Sequence, residues 1–122
     1  MPRDPRLYLE DIVEACGRIR KYTAEMTLEQ FKADRKTVDA VIRNLEVVGE
    51  AARSLPASVQ RLASEVDWRK ISGLRNILIH QYFGIDLAIL WDIVENKVHA
   101  LETDCSRLLA TFSEEESSHQ NS

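Results

Sequence analysis

One stretch of the chain gathers most of the side chains that could do chemistry. It reads Gly73-Leu74-Arg75-Asn76-Ile77-Leu78-Ile79-His80-Gln81-Tyr82-Phe83-Gly84, and it sets Arg, Asn, His, Gln and Tyr at the end of an otherwise apolar segment. His is the side chain whose pKa suits proton transfer near neutrality. Arg is always protonated, and its planar fork matches phosphate oxygens. On a helix Asn76 and His80 share a face at i, i+4, with Gly73 one turn earlier leaving backbone open to a ligand or a second chain. Arg75 and His80 lie five residues apart, about 140° around the helix, so both can line the rim of one groove. Spacing alone leaves a plainer reading open. Arg75 can pair with an acid across a bundle, and His80 can sit near a helix C-terminus favoured by the macrodipole.

Other chemistries lack their residues. There is no GxxxxGK[ST] loop, GxGxxG, HExxH or GxSxG. His119 falls in the tail, and His99 reads as a surface residue between Lys97 and Glu102. Cys16 and Cys105 form no CxxC pair and have no His at ligand spacing, so both read as buried reduced thiols. No metal and no cofactor are expected.

The elements that must position the cluster are helical. Asp4-Pro5 is a cap followed by Pro at the first helical position. Leu9, Ile12, Cys16, Ile19 and Met26, with Thr23 in the gap, then form one apolar stripe. Gly17 interrupts that helix, and its bare backbone is expected to allow a close helix crossing. Thr27 and Gln30 have capping-box spacing for a short helix through Phe31. Asp34 caps a long helix with the stripe Val38, Val41, Leu45, Val48, Ala52 and Leu55, ended by Pro56. Residues 57–64 suggest a short helix with Val59 and Leu62 as its apolar contacts. Asp67 caps the helix of the cluster, with Trp68, Ile71, Leu74 and Leu78 on its core side. Asp86 caps one final helix carrying Leu87, Leu90, Val94, Val98, Leu101, Cys105, Leu108 and Phe112, with Trp91 beside the stripe.

Four long amphipathic helices and short extra ones predict an all-α four-helix bundle in which Leu45, Leu78, Leu90 and Leu101 are buried. Composition agrees: 122 residues suit one domain, and 4 Gly and 3 Pro are few for a turn-rich β fold. The domain is expected over 1–112, with 113–122 an acidic, disordered tail. No apolar run suits a membrane span or a secretory signal, so a cytoplasmic location is expected. The net charge of −4 argues against a general DNA binder. Glu114, Glu115 and Glu116 lie in the tail, however, and without them 16 basic residues face 17 acidic ones. A local basic site is compatible with that balance, and Arg69, Lys70 and Arg75 face only Asp67 between positions 67 and 82.

Arg75-Asn76, three apolar residues, then His80-Gln81-Tyr82 resembles the Arg-x4-His-x-Tyr motif of the HepT-like proteins, a branch of the HEPN superfamily. The flanks Asp67 to Leu74 and Phe83 to Asp86 are similar to that family too. So are Tyr8-Leu9-Glu10-Asp11-Ile12 and Asn44-Leu45-Glu46-Val47-Val48-Gly49-Glu50-Ala51. The resemblance spans roughly residues 5–112. It implies an HEPN-like bundle and the toxin half of a toxin–antitoxin pair. It further implies a metal-independent ribonuclease acting as a homodimer, with Arg75 and His80 catalytic in a site composed from both subunits. The implied partner is an MntA-like nucleotidyltransferase antitoxin that transfers AMP onto the motif tyrosine, here Tyr82.

The residues suit that chemistry. RNA carries its own nucleophile, the 2′-OH. His80 can move protons, Arg75 can stabilise the phosphorane, and Asn76 can orient the His or donate to phosphate. Tyr82 can stack on a base or contact phosphate. Arg69 and Lys70 offer supporting charge for substrate. A competing reading keeps the bundle as an inactive docking subunit of a minimal nucleotidyltransferase, and a third makes it a plain helical adaptor. Adaptor function leaves the cluster around His80 unexplained. An RNA-cleavage assay separates the first two.

Overall fold

The computed structural model describes residues 3–80 and 86–120, with the backbone alone for 75–77, 79–80 and 115–120. The described residues hold helices and no strand: α1 (Pro5–Thr23), α2 (Leu28–Ala33), α3 (Arg35–Ser54), α4 (Ala57–Gln60), a 3-10 turn (Arg61–Ala63), α5 (Trp68–His80), α6 (Leu87–Asn96) and α7 (Val98–Gln120). The caps form as the sequence leads one to expect. Asp4 accepts from the Arg6 N–H at 2.9 Å, and Thr27 and Gln30 close a reciprocal capping box. Asp34 accepts from the Thr37 N–H at 3.1 Å, and Asp86 from the Ala88 N–H at 2.9 Å. Each satisfies an N–H that the first helical turn leaves without a partner.

The four long helices pack in the order α5–α3–α1–α7, so α1 and α3 are interior to the bundle. Leu9, Ile12, Cys16 and Ile19 of α1 are fully buried against Val38, Val41, Leu45 and Val48 of α3 and Leu101, Cys105 and Leu108 of α7. Leu45, Leu78, Leu90 and Leu101 are all buried, as expected. Each such side chain contributes about 1.5–3 kcal/mol by leaving water. Phe31 of α2 is sealed into the same core and meets the Trp91 ring of α6 at 5.1 Å between centroids.

The structure corrects three details. The expected single helix after Asp86 is two, because the backbone turns out of helical geometry at Lys97, with φ −120°. Val94 and Val98 are both buried across that break, so the apolar rhythm continues and no Gly or Pro announces it. The polar run Glu95-Asn96-Lys97 instead offers local partners, with Asn96 donating to Asp92 at 2.6 Å. Leu62, expected as a contact, is 59% exposed. The chain there tightens into the 3-10 turn, whose three-residue repeat turns Ala63 inward instead. Gly17 is not needed for a close crossing, since a Cβ there would meet Glu102 Oε2 at an ordinary 3.7 Å. The described backbone of α7 is helical from Val98 to Gln120, past Phe112. Nothing between Ser113 and Gln120 is Gly or Pro, so no residue there interrupts the backbone ladder.

Candidate functional site on helix α5

Helix α5 is held from its first turn. Trp68 is buried, and its indole N–H donates to the Gln60 and Ala63 carbonyls, each at 3.0 Å. Gln60 in turn donates to the Ala52 carbonyl at 3.1 Å. Asp67 accepts from the Lys70 N–H at 3.1 Å and caps the helix. These bonds tie the end of α3, the 3-10 turn and the start of α5 into one corner. Leu78, two residues before the end of α5, is buried, and Ile71 and Leu74 are half-buried against the core. The helix is therefore anchored on one side along its length.

Arg75, Asn76 and His80 lie within this continuous helical backbone, so their i, i+1 and i, i+5 relations hold as read. Their side chains, and all of Tyr82, lie outside the described residues. Arg69 and Lys70 are exposed on the first turn. Gly73 lies between the two groups, and a Cβ built on it would meet nothing within 4 Å. The open backbone expected at this position is present.

A second feature was not singled out as a site in the sequence. A cavity of about 330 Å³ opens between α1 and α3, lined by Arg3, Tyr8, Asp11, Arg43, Glu46 and Glu50 among others. Its two walls are the segments around Tyr8 and around Glu46 that share the family resemblance, brought together by the α1–α3 packing. Arg3 binds Asp11 at 2.6 Å and lies 4.9 Å from the centre of the Tyr8 ring. The hydrogen bond to Asp11 holds the Arg3 pKa above its ordinary value. This cavity is open, and acid and base line it together, with Arg3 paired to Asp11.

The cysteines take no part in a site. Both are fully buried, and burial pushes each thiol up to about 12. At neutral pH they stay protonated, which removes the thiolate that nucleophilic or metal chemistry requires. No helix among the described residues is long and apolar enough to cross a membrane.

Comparison with known proteins fits this anatomy. The chain is 42% identical over 108 residues to a protein of Thermococcus cleftensis named "Probable ribonuclease HepT", covering 88% of this chain and 98% of that one. It is 48% identical over 99 residues to a protein of Methanocaldococcus jannaschii named as a "Putative RNase", covering 80% and 82% of the two chains. A third relative with the same kind of name, from Caldanaerobacter subterraneus, is 34% identical over 107 residues, covering 88% of this chain and 96% of the relative. No solved structure matches. The family model described as "Ribonuclease HepT-like" matches residues 12–108, from the first turns of α1 through the whole of α5 and into α7, and with these relatives it shows that the chain belongs to the HepT-like family of helical HEPN proteins.

Proposed function

We propose that this chain is a ribonuclease whose reacting groups are Arg75 and His80, contributed by two copies of α5 in a homodimer. The observation that carries the reading is the run Arg75-x4-His80-x-Tyr82 standing inside the family match over 12–108. In this mechanism one His80 takes the proton from a ribose 2′-OH, whose oxygen attacks the adjacent phosphorus. The 5′-oxygen leaves and receives a proton from the second His80. Arg75 stabilises the charge that gathers on the phosphorane oxygens, where its fixed positive fork is most useful. A two-fold axis supplies both histidines from one helix, so the acid and base roles need only one motif. The product is a 2′,3′-cyclic phosphate and a free 5′-hydroxyl. No metal enters the scheme.

The chain acts in this reading as a cytoplasmic toxin, paired with a nucleotidyltransferase antitoxin of the MntA-like kind. Transfer of AMP to the Tyr82 hydroxyl places bulk and negative charge two residues beyond His80, where it repels an RNA phosphate.

The test is incubation of the purified chain with total RNA in excess EDTA, followed by mapping of the cut ends. Cyclic phosphates that vanish with His80→Ala support the mechanism, and cleavage that needs a divalent cation overturns its metal-free form. Co-expression with the partner and mass spectrometry address control. AMP on Tyr82, with Tyr82→Phe active but unsilenced, supports the assignment. AMP on another residue overturns it.

A further inference from the structure

We infer that an RNA strand leaves the reacting groups along the outer face of α5 and is held at the far end by its phosphates against Arg53, Arg61, Arg69 and Lys70. This inference rests on the ribonuclease reading and extends it to the flanking substrate.

The corner of the bundle around Trp68 carries the four basic residues. The bonds from Trp68 to Gln60 and Ala63, and from Gln60 to Ala52, hold the end of α3, the 3-10 turn and the start of α5 together. Arg53, Arg61 and Arg69 are the immediate chain neighbours of Ala52, Gln60 and Trp68, and Lys70 follows. All four are exposed. Among the described residues none of them makes an ion pair. The acids of this corner are engaged: Glu65 pairs with Arg107, and Asp67 caps α5. In a chain of net charge −4, four exposed cations around one corner, facing Asp67 and an already paired Glu65, leave a local excess of positive charge for a polyanion.

The helix connects this corner to the reacting groups. At about 100° per residue, positions 69, 73, 76 and 80 fall within a sector of about 60°. That sector lies opposite Leu78, which is buried, and so points away from the core. Gly73 stands in its middle with open space where a side chain would be. From position 69 to position 80 the helix rises about 16 Å. A strand lying over Gly73 can therefore have one phosphate at position 80 and further phosphates at the basic corner. RNA is favoured over an acidic protein because the strip joins the corner to the position of the chemistry without a break.

The test measures binding of a short, labelled single-stranded RNA by anisotropy, in EDTA, with the full chain carrying His80→Ala so that the probe stays intact. Adding Arg53→Ala, Arg61→Ala and Arg69→Ala together is expected to weaken binding at least about tenfold. The slope of log affinity against log salt is expected to fall by about 0.7 for each lost phosphate contact, or about 2 in all. Arg20→Ala, a paired arginine on the opposite side of the bundle, is the control and is expected to change neither. In the same background Gly73→Leu is expected to weaken binding by blocking the strip. Unchanged affinity and slope in the triple variant overturn the inference, whatever the chain cleaves. So does a triple variant that binds RNA normally but no longer associates with a nucleotidyltransferase partner, since the corner is then a protein-docking surface. Failure of the ribonuclease reading is seen separately, as absence of His80-dependent cleavage by the wild-type chain.

Discussion

Arg20 and Arg69 are both exposed arginines on long helices, and their surroundings differ sharply. Arg20 of α1 reaches Glu102 of α7 with two hydrogen bonds, at 2.6 and 2.8 Å, and the Glu102 side chain is only 14% exposed. Arg3 has Asp11, Arg6 has Asp4, and Arg107 has Glu65. Arg3, Arg6 and Arg20 are thus matched by acids of α1, its cap or α7, and Arg107 reaches across to an acid of the α5 corner, while Arg18 and Lys21 of α1 make no ion pair among the described residues. Arg69 and its neighbours at the start of α5 keep theirs unmatched. A folded chain gains little from exposed ion pairs, so pairing is no requirement of the fold. What sets the corner apart is that its unmatched cations lie beside the motif helix, where a partner for them would also meet the motif.

The largest expected effect lies on the motif itself. His80→Ala or Arg75→Ala is expected to lower RNA cleavage by about 10²–10⁴-fold, with the circular dichroism spectrum unchanged. Loss of helicity in step with activity would instead give these residues a role in the fold. Next comes the anchor of the unmatched corner. Trp68→Ala removes a buried ring and two hydrogen bonds, and is expected to cost about 3–5 kcal/mol in denaturant unfolding. A loss below about 1 kcal/mol would mean that the corner is held by other contacts.

A subtler contrast comes from titration. The Cys16 and Cys105 thiols ordinarily titrate near 9.0 and are raised to about 12 in the fold. Above pH 9 the unfolded chain releases these protons while the folded chain keeps them, so stability declines as pH rises from about 9 toward 12. Replacing both with Ser or Ala is expected to flatten that part of the stability–pH curve, and an unaltered slope would contradict the assignment. The smallest effect concerns two glycines. Gly17→Ala and Gly73→Ala are each expected to stabilise the chain by about 0.5–1 kcal/mol, because both lie inside helices with room for a Cβ. Gly17→Ala should leave RNA affinity untouched. Equal loss of affinity in both variants would break the distinction between the two sides of the bundle.

The parts of the fold legible in the sequence are those set by local rules. Caps at Asp4, Thr27, Asp34 and Asp86 depend on short spacings, and the stripes of α1 and α3 depend on a period that survives any tertiary context. The break at Lys97 and the outward turn of Leu62 were not legible, because a three-four rhythm continues unbroken through both. For the candidate site, the order Arg75, Asn76, His80 on one helix could be read directly. The gathering of Arg53 and Arg61 beside Arg69 could not. They are 16 and 8 positions away in the chain, and the α3–α5 packing with the Trp68 and Gln60 hydrogen bonds places them at one corner. The cavity between Tyr8 and Glu46 is of the same kind, built from two segments that sequence flagged separately.

The sealed thiols also make the chain a ready substrate for site-directed spectroscopy. With Cys16 and Cys105 fully buried and protonated at neutral pH, maleimide dyes have no competing target in the folded protein. A cysteine introduced at exposed position 54 or 62, beside Arg53 and Arg61, would accept a fluorophore without prior removal of the native pair. Its emission would then register the arrival of a nucleic acid at that corner in real time, in a protein otherwise left unaltered.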